Sequence, residues 1–325
     1  MVLLRSLLGV AGSLLAAVVL GPAQAADASY PAKPIRFIVA FPAGSGTDTV
    51  ARVMAKTVTD QTGQPVVVDN RGGANGFIAS QAVATAAPDG YTFLFTTSTT
   101  HAANAAMFKS LPYDPIKDFE PVSLVTKNGL VLLVRSDSRY RKVEDLIADM
   151  KSRPGKLNFG AGSASTQVAG EMFKMGTHTD AVYVPYKGMP QALTDLVAGQ
   201  IDFAFSDINP AVPLVEQGKL RALAVTTLRR HPAFKPVPTL DEAGLKGFEL
   251  STWSAVFAPA GTPAPIVEKM SRLLRQGQQT REAQEQLERS GAEGATGSPE
   301  ALRGFVKSES EKWARVIEVA GIPRQ

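Results

Sequence analysis

Apolar positions along the 325-residue chain follow two periods that take turns. Short runs rich in β-branched and aromatic residues read as buried strands, and apolar residues spaced three and four apart read as helices. The first complete unit spans Ile35 to Met54. Ile35 to Phe41 is a strand-like run, and Pro42 ends its ladder because proline has no N–H to donate. Ala43-Gly44-Ser45-Gly46 has almost no side chain. Thr47 and Asp48 suit the start of a helix, and Val50, Ala51, Val53 and Met54 then repeat at helical spacing. A strand, a bare loop and a helix in that order leave backbone N–H groups unpaired in front of a helix N-terminus. Such a point attracts anions, carboxylates included.

The alternation continues. Val66 to Val68 is a short strand, and Phe77 to Ala86 is a helix stopped by Pro88-Asp89-Gly90. The strand Tyr91 to Phe95 runs into Thr96 to Thr100, ahead of a helix over His101 to Phe108. In an open parallel sheet such turns gather at the carboxyl ends of the strands. The loops at Ala43 to Thr47 and Thr97 to Thr100 should therefore share one rim. Val122 to Arg135 is the longest strand-like stretch, interrupted only near Lys127-Asn128-Gly129, and reads as one strand crossing between domains.

The opening pattern then recurs: strand Leu157 to Gly160, loop Ala161 to Thr166, helix Gln167 to Met175. Strands follow at Ala181 to Tyr186 and Ile201 to Phe205, the second ending at Ser206-Asp207-Ile208-Asn209. Leu220 to Thr226 leads back to the first domain, Thr252 to Ala258 is a further strand, and helices fill most of the rest. The reading is an α/β fold of two domains. Residues 26–125 and 228–325 form a discontinuous domain 1, and residues 126–227 form domain 2. Crossings are expected near Val125 to Val131 and Thr226 to Leu228, with the two repeated units facing each other across a cleft.

Composition sets the address. Residues 1–25 carry one charge, Arg5, an apolar stretch too short to span a bilayer, and Ala23-Gln24-Ala25, the form a signal peptidase cuts after. A periplasmic, soluble mature protein is expected. There are no cysteines, which excludes disulfides, thiolate catalysis and zinc–cysteine sites. The positive charges are scattered without an aromatic-laced stripe, so nucleic acid is not an expected partner.

Several motifs stop short. Gly44-Ser45-Gly46-Thr47-Asp48-Thr49 lacks the third glycine of a dinucleotide fingerprint, and no phosphate-binding G-K-[ST] occurs. His101, His178 and His231 have no metal-ligand spacing. No G-x-S-x-G elbow exists, which leaves Ser163 or Ser98 as nucleophiles only in an unfamiliar hydrolase. His101 reads as a helix N-terminal polar residue. Asp48 reads as a helix-start carboxylate, and Asp207 is open between a structural and a ligand-facing role.

The segments YPAKPIRFIVAFPAGSGTDTVAR, QPVVVDNRGGANGFIA, APDGYTFLF, VPYKGMPQALTDLVAGQIDFAF, GKLRALAVTT and STWSAVFAPAGTP resemble the Bug family, the substrate-binding proteins of tripartite tricarboxylate transporters. The resemblance implies a two-domain type II periplasmic binding-protein fold that closes on a small carboxylate. It implies a ligand site of Ala43, Gly44, Ser45, Gly46, Thr47, Thr97 and Ser98 from domain 1. Domain 2 would supply Gly162, Ser163, Ser165, Thr166 and Asp207. It also implies a monomeric receptor that delivers its ligand to the permease subunits of such a transporter, with no catalytic residue, cofactor or metal. A ligand sensor for a signalling partner, or a periplasmic hydrolase, are the alternatives.

Overall fold

The computed structural model describes residues 30–325. The signal peptide read from residues 1–25 lies outside them. Ile35–Val39 forms β1, ending before Pro42, and Gly46–Thr62 forms α1. Val66–Asn70 is β2, Phe77–Ala84 is α2 and Thr92–Thr97 is β3. The expected helix after β3 is a π-helical turn, Thr99–Ala103, running into the short α3, Asn104–Met107. Phe119–Arg135 is a single 17-residue strand, β4. Lys127-Asn128-Gly129 does not break it, because each of these residues pairs with the strand alongside.

Beyond β4 come α4 (Val143–Ser152), β5 (Asn158–Ala161), α5 (Ala164–Thr177), β6 (Val182–Pro185) and α6 (Met189–Ala198). They are followed by β7 (Phe203–Asp207), α7 (Ile208–Glu216), β8 (Leu220–Val225) and β9 (Ser251–Pro259). Three helices end the chain: α8 (Ala264–Gln278), α9 (Arg281–Arg289) and α10 (Pro299–Val319).

The strands hydrogen-bond in the order β2-β1-β3-β9-β4-β7-β5-β6, with β8 also on β4. β1 runs parallel to β2 and β3, and β5 runs parallel to β6 and β7. The central strands β9 and β4 are antiparallel to their neighbours. β4 changes partner part-way along: Phe119 to Gly129 pair with β9, while Leu130 to Arg135 pair with β7 and β8. Thr226, just after β8, is tied to the same point, because its Oγ1 accepts from Leu130 N–H (2.8 Å) and donates to the Leu250 carbonyl (2.6 Å).

The period-2 alternation of β4 divides two cores. Leu130, Leu132 and Val134 pack into the larger cluster with Phe159, Phe173, Phe203 and Phe205. Val131 and Leu133 turn to a second cluster with Leu193, Leu196 and Ile208. In the first half of the sheet Phe37 meets Phe93 edge-on at 6.2 Å. The C-terminal α10 is anchored by buried Glu309, whose Oε2 accepts from the indole N–H groups of both Trp253 (3.1 Å) and Trp313 (3.3 Å).

Candidate functional site: a cleft where three helix N-termini meet

The first loop turns sharply, with Ser45 N–H donating to the Pro42 carbonyl (3.1 Å), and passes directly into α1. The helix therefore starts at Gly46, and Ser45 caps it, its Oγ accepting from Asp48 N–H. Asp48 is spent on the loop itself. Its carboxylate accepts from Gly44 N–H (2.9 Å), Arg52 Nε (3.0 Å) and Asn70 Nδ2 (2.9 Å). Burial would raise its pKa, but bonds from Arg52, Gly44 and Asn70 outweigh that and hold it below the usual carboxylate range. With the Gly44 and Asp48 N–H groups engaged, those of Gly46 and Thr47 stand at the helix start without an internal partner among the described residues.

The recurring unit is built in the same way. Ser163 Oγ caps α5 by accepting from Thr166 N–H, and Thr166 Oγ1 accepts in return from Ser163 N–H (3.1 Å) and Gly162 N–H (3.2 Å). Gly162 is required by close approach, since a Cβ there would stand 2.3 Å from the Gly188 carbonyl carbon. The N–H groups of Ala164 and Ser165 are left at the start of α5, again without an internal partner among the described residues. Ser165 Oγ lies 3.4 Å from Thr99 Oγ1, which joins this loop to the turn after β3.

The third terminus is that of α7. Asp207 ends β7 and occupies the N-cap position, and Asn209 follows in the first turn. Asn209 Nδ2 donates to Ser290 Oγ (3.2 Å). The starts of α1, α5 and α7 border one cleft with two adjoining chambers that share Thr47, Thr97, Asp207 and Thr252. Among the described residues the lining holds hydroxyls, amides and the Asp207 carboxyl, with no Lys, Arg or His. Burial pushes the Asp207 carboxyl up to about 6.

The structure brings Ser45, Gly46, Thr47, Thr97, Gly162, Ser163, Ser165 and Asp207 to the cleft wall. It places the other four expected residues elsewhere. Ala43 and Gly44 are exposed. Thr166 is fully buried and serves the α5 cap, and Ser98 is fully buried, off the lining, with its Oγ unpartnered. Sequence reasoning missed Phe41, Val50, Thr126, Asn128, Met189, Asn209, Thr252, Trp253 and Ser254. Two signals pointed towards some of them. Asn128 interrupts an apolar strand, and Thr252-Trp253-Ser254 puts polar groups at the start of another. His101 does lie in the helical turn that follows β3, but it faces the core. It is buried, accepts from or donates to Thr100 Oγ1 at 2.8 Å, and stacks on Phe257 at 3.9 Å.

Residues 50–322 match the family described as the tripartite tricarboxylate transporter family receptor. The chain is 36% identical over 318 residues to the protein BugT of Bordetella pertussis, covering 97% of each. Among solved structures it is similar to Rhodopseudomonas palustris Rpa4515 with adipate, at a TM-score of 0.89 and 34% identity, over 91% of this chain and 100% of that one. The periplasmic binding protein BugD superposes at a TM-score of 0.87 and 33% identity, over 91% and 100% of the two chains. MatC from R. palustris with bound malate gives 0.83 and 33%, over 89% and 100%.

Proposed function

The chain belongs to the tripartite tricarboxylate transporter family of receptors, and on that premise we propose that it is a periplasmic receptor that holds a small organic carboxylate in the cleft and delivers it to the permease of such a transporter. One observation carries the ligand class. Three helix N-termini converge on a hydroxyl-lined cleft, with the N–H groups of Gly46, Thr47, Ala164 and Ser165 left for a ligand. Aligned peptide dipoles place partial positive charge there, so a carboxylate is held without a cationic side chain. Relatives with adipate and malate bound are consistent with this class.

Capture would follow from two lobes, residues 26–125 with 228–325 and residues 126–227. They would close about the point where β4 changes partner and about Thr226. The cleft serves binding rather than catalysis. Ser163 Oγ is engaged with Thr166 N–H and lies 3.0 Å from Ser165 Oγ, and no carboxylate or imidazole hydrogen-bonds to it among the described residues.

A thermal-shift screen of mono-, di- and tricarboxylates tests the reading. A ligand at 100 times its Kd adds roughly 2.7 kcal/mol of stability. It should also be recovered unchanged after the protein is denatured. Conversion of the bound acid to a product would replace the receptor with an enzyme.

A further inference from the structure

A carboxylate of the protein stands where a carboxylate ligand is to lie. Asp207 borders both chambers of the cleft. At an N-cap an aspartate ordinarily accepts from its own helix, yet Asp207 makes no side-chain cap bond to α7. Among the described residues no other side chain donates to it, and its own backbone N–H is the one group that favours its charge. Gly46 opposes it across a narrow gap, since a Cβ at 46 would lie 3.5 Å from Asp207 Cγ. A charged acceptor in such a space with no donor beyond its own backbone N–H is costly, and a second anion beside it adds repulsion.

We infer that the cleft selects small carboxylates that also carry a hydrogen-bond donor, a hydroxyl or an ammonium, and that Asp207 accepts from that donor. The ligand carboxylate then lies on the N–H groups of Gly46, Thr47, Ala164 and Ser165. The inference rests on the receptor reading above and narrows its ligand class. The raised pKa of Asp207 agrees with a buried carboxyl whose charge is favoured only by its own backbone N–H.

Calorimetric titration of the purified protein with matched four-carbon and six-carbon diacids tests it. Each series contains the unsubstituted acid, its 2-hydroxy analogue and its 2-amino analogue. A donor-bearing acid should bind at least about tenfold more tightly than its unsubstituted parent, the scale of one hydrogen bond to a charged group. The arms separate the two donors. Asp207→Asn should weaken a 2-amino ligand more than a 2-hydroxy one, because it removes charge but keeps an acceptor. The unsubstituted acid should bind the same variant more tightly than it binds the natural protein. Equal affinity of the natural protein for parent and substituted acids overturns the inference and leaves the receptor reading standing. A preference that survives Asp207→Asn undiminished overturns it too. Failure of every acid to bind overturns both.

Discussion

Gly46 and Asp207 meet across the cleft so closely that a Cβ on Gly46 would stand 3.1 Å from Asp207 Cβ and 3.3 Å from Asn209 Oδ1. The start of α1 approaches the start of α7 only because residue 46 has no side chain. Its φ is not in the left-handed region, so the requirement is for space rather than for backbone freedom.

Gly46→Val is therefore expected to hold the two sides apart while leaving each folded. Carboxylate affinity should fall at least about tenfold, or about 1.4 kcal/mol. Ser163→Ala should cost binding less, and about 1 kcal/mol of stability through the lost α5 cap. Titration calorimetry with circular dichroism decides the matter. Normal binding by Gly46→Val would show that close approach is not needed.

Both tryptophans of the chain are buried, but only Trp253 lines the cleft, while Trp313 lies on α10. A carboxylate entering the cleft should change the intrinsic fluorescence. The change should be reduced most in Trp253→Phe, with a smaller effect of Trp313→Phe, whose indole shares Glu309 Oε2 with that of Trp253. A change unaltered by Trp253→Phe would place the ligand elsewhere.

Asp48 latches the first loop through Gly44, Arg52 and Asn70. Asp48→Ala leaves those donors unpaired and should destabilise the protein by about 1–3 kcal/mol. The folded pKa lies below the ordinary 3.8. The carboxylate's contribution is thus complete above that value and is lost as the pH falls through the folded pKa. Urea unfolding at neutral pH and below pH 3.8 should show the gap between natural protein and variant shrinking in acid.

His101 is buried with its pKa pushed down to about 3 from 6.5. Between those values the unfolded chain binds a proton that the folded protein does not, so stability falls as the pH drops, by up to about 1.4 kcal/mol per unit. Asp207, raised to about 6, acts in the opposite sense. Comparison with a variant isolates the histidine. His101→Phe keeps a ring against Phe257 and leaves Thr100 Oγ1 bonded to Thr96 Oγ1 at 2.7 Å. Its unfolding free energy, followed from pH 7 to pH 4.5, should be flatter than that of the natural protein. Parallel curves would refute the assignment.

Much of the site was legible from short stretches. Residues 35–54 and 157–175 each contain a strand, a nearly bare loop and a helix, and the structure has both in that order, with shorter loops because α1 starts at Gly46 and α5 at Ala164. β4 was visible as a long apolar stretch from Val122 to Arg135, because alternate residues of its second half serve two cores and both sets must be apolar, but the interruption read at Lys127-Asn128-Gly129 is not there. The wall contributed by Thr126, Asn128, Thr252, Trp253 and Ser254 was not legible as a site. Those residues come from strands that pair across more than a hundred positions, and no local preference records that pairing.

Strand, loop and helix starts follow from steric and capping preferences that act within a few residues. The α/β alternation and the anion-seeking helix termini were therefore written in the order of side chains alone. Which of those residues face the ligand space was settled by packing. Ser45 rather than Thr47 became the cap of α1, Asp48 and Thr166 turned inward to hold their own loops, and Asp207 left its helix uncapped to face the cleft. The cleft is closed in where distant segments come close, as the Gly188 backbone does to Gly162 and the Asp207 side chain to Gly46. Close approach of that kind is a property of the assembled sheet and its helices, and it acts between groups that are far apart along the chain.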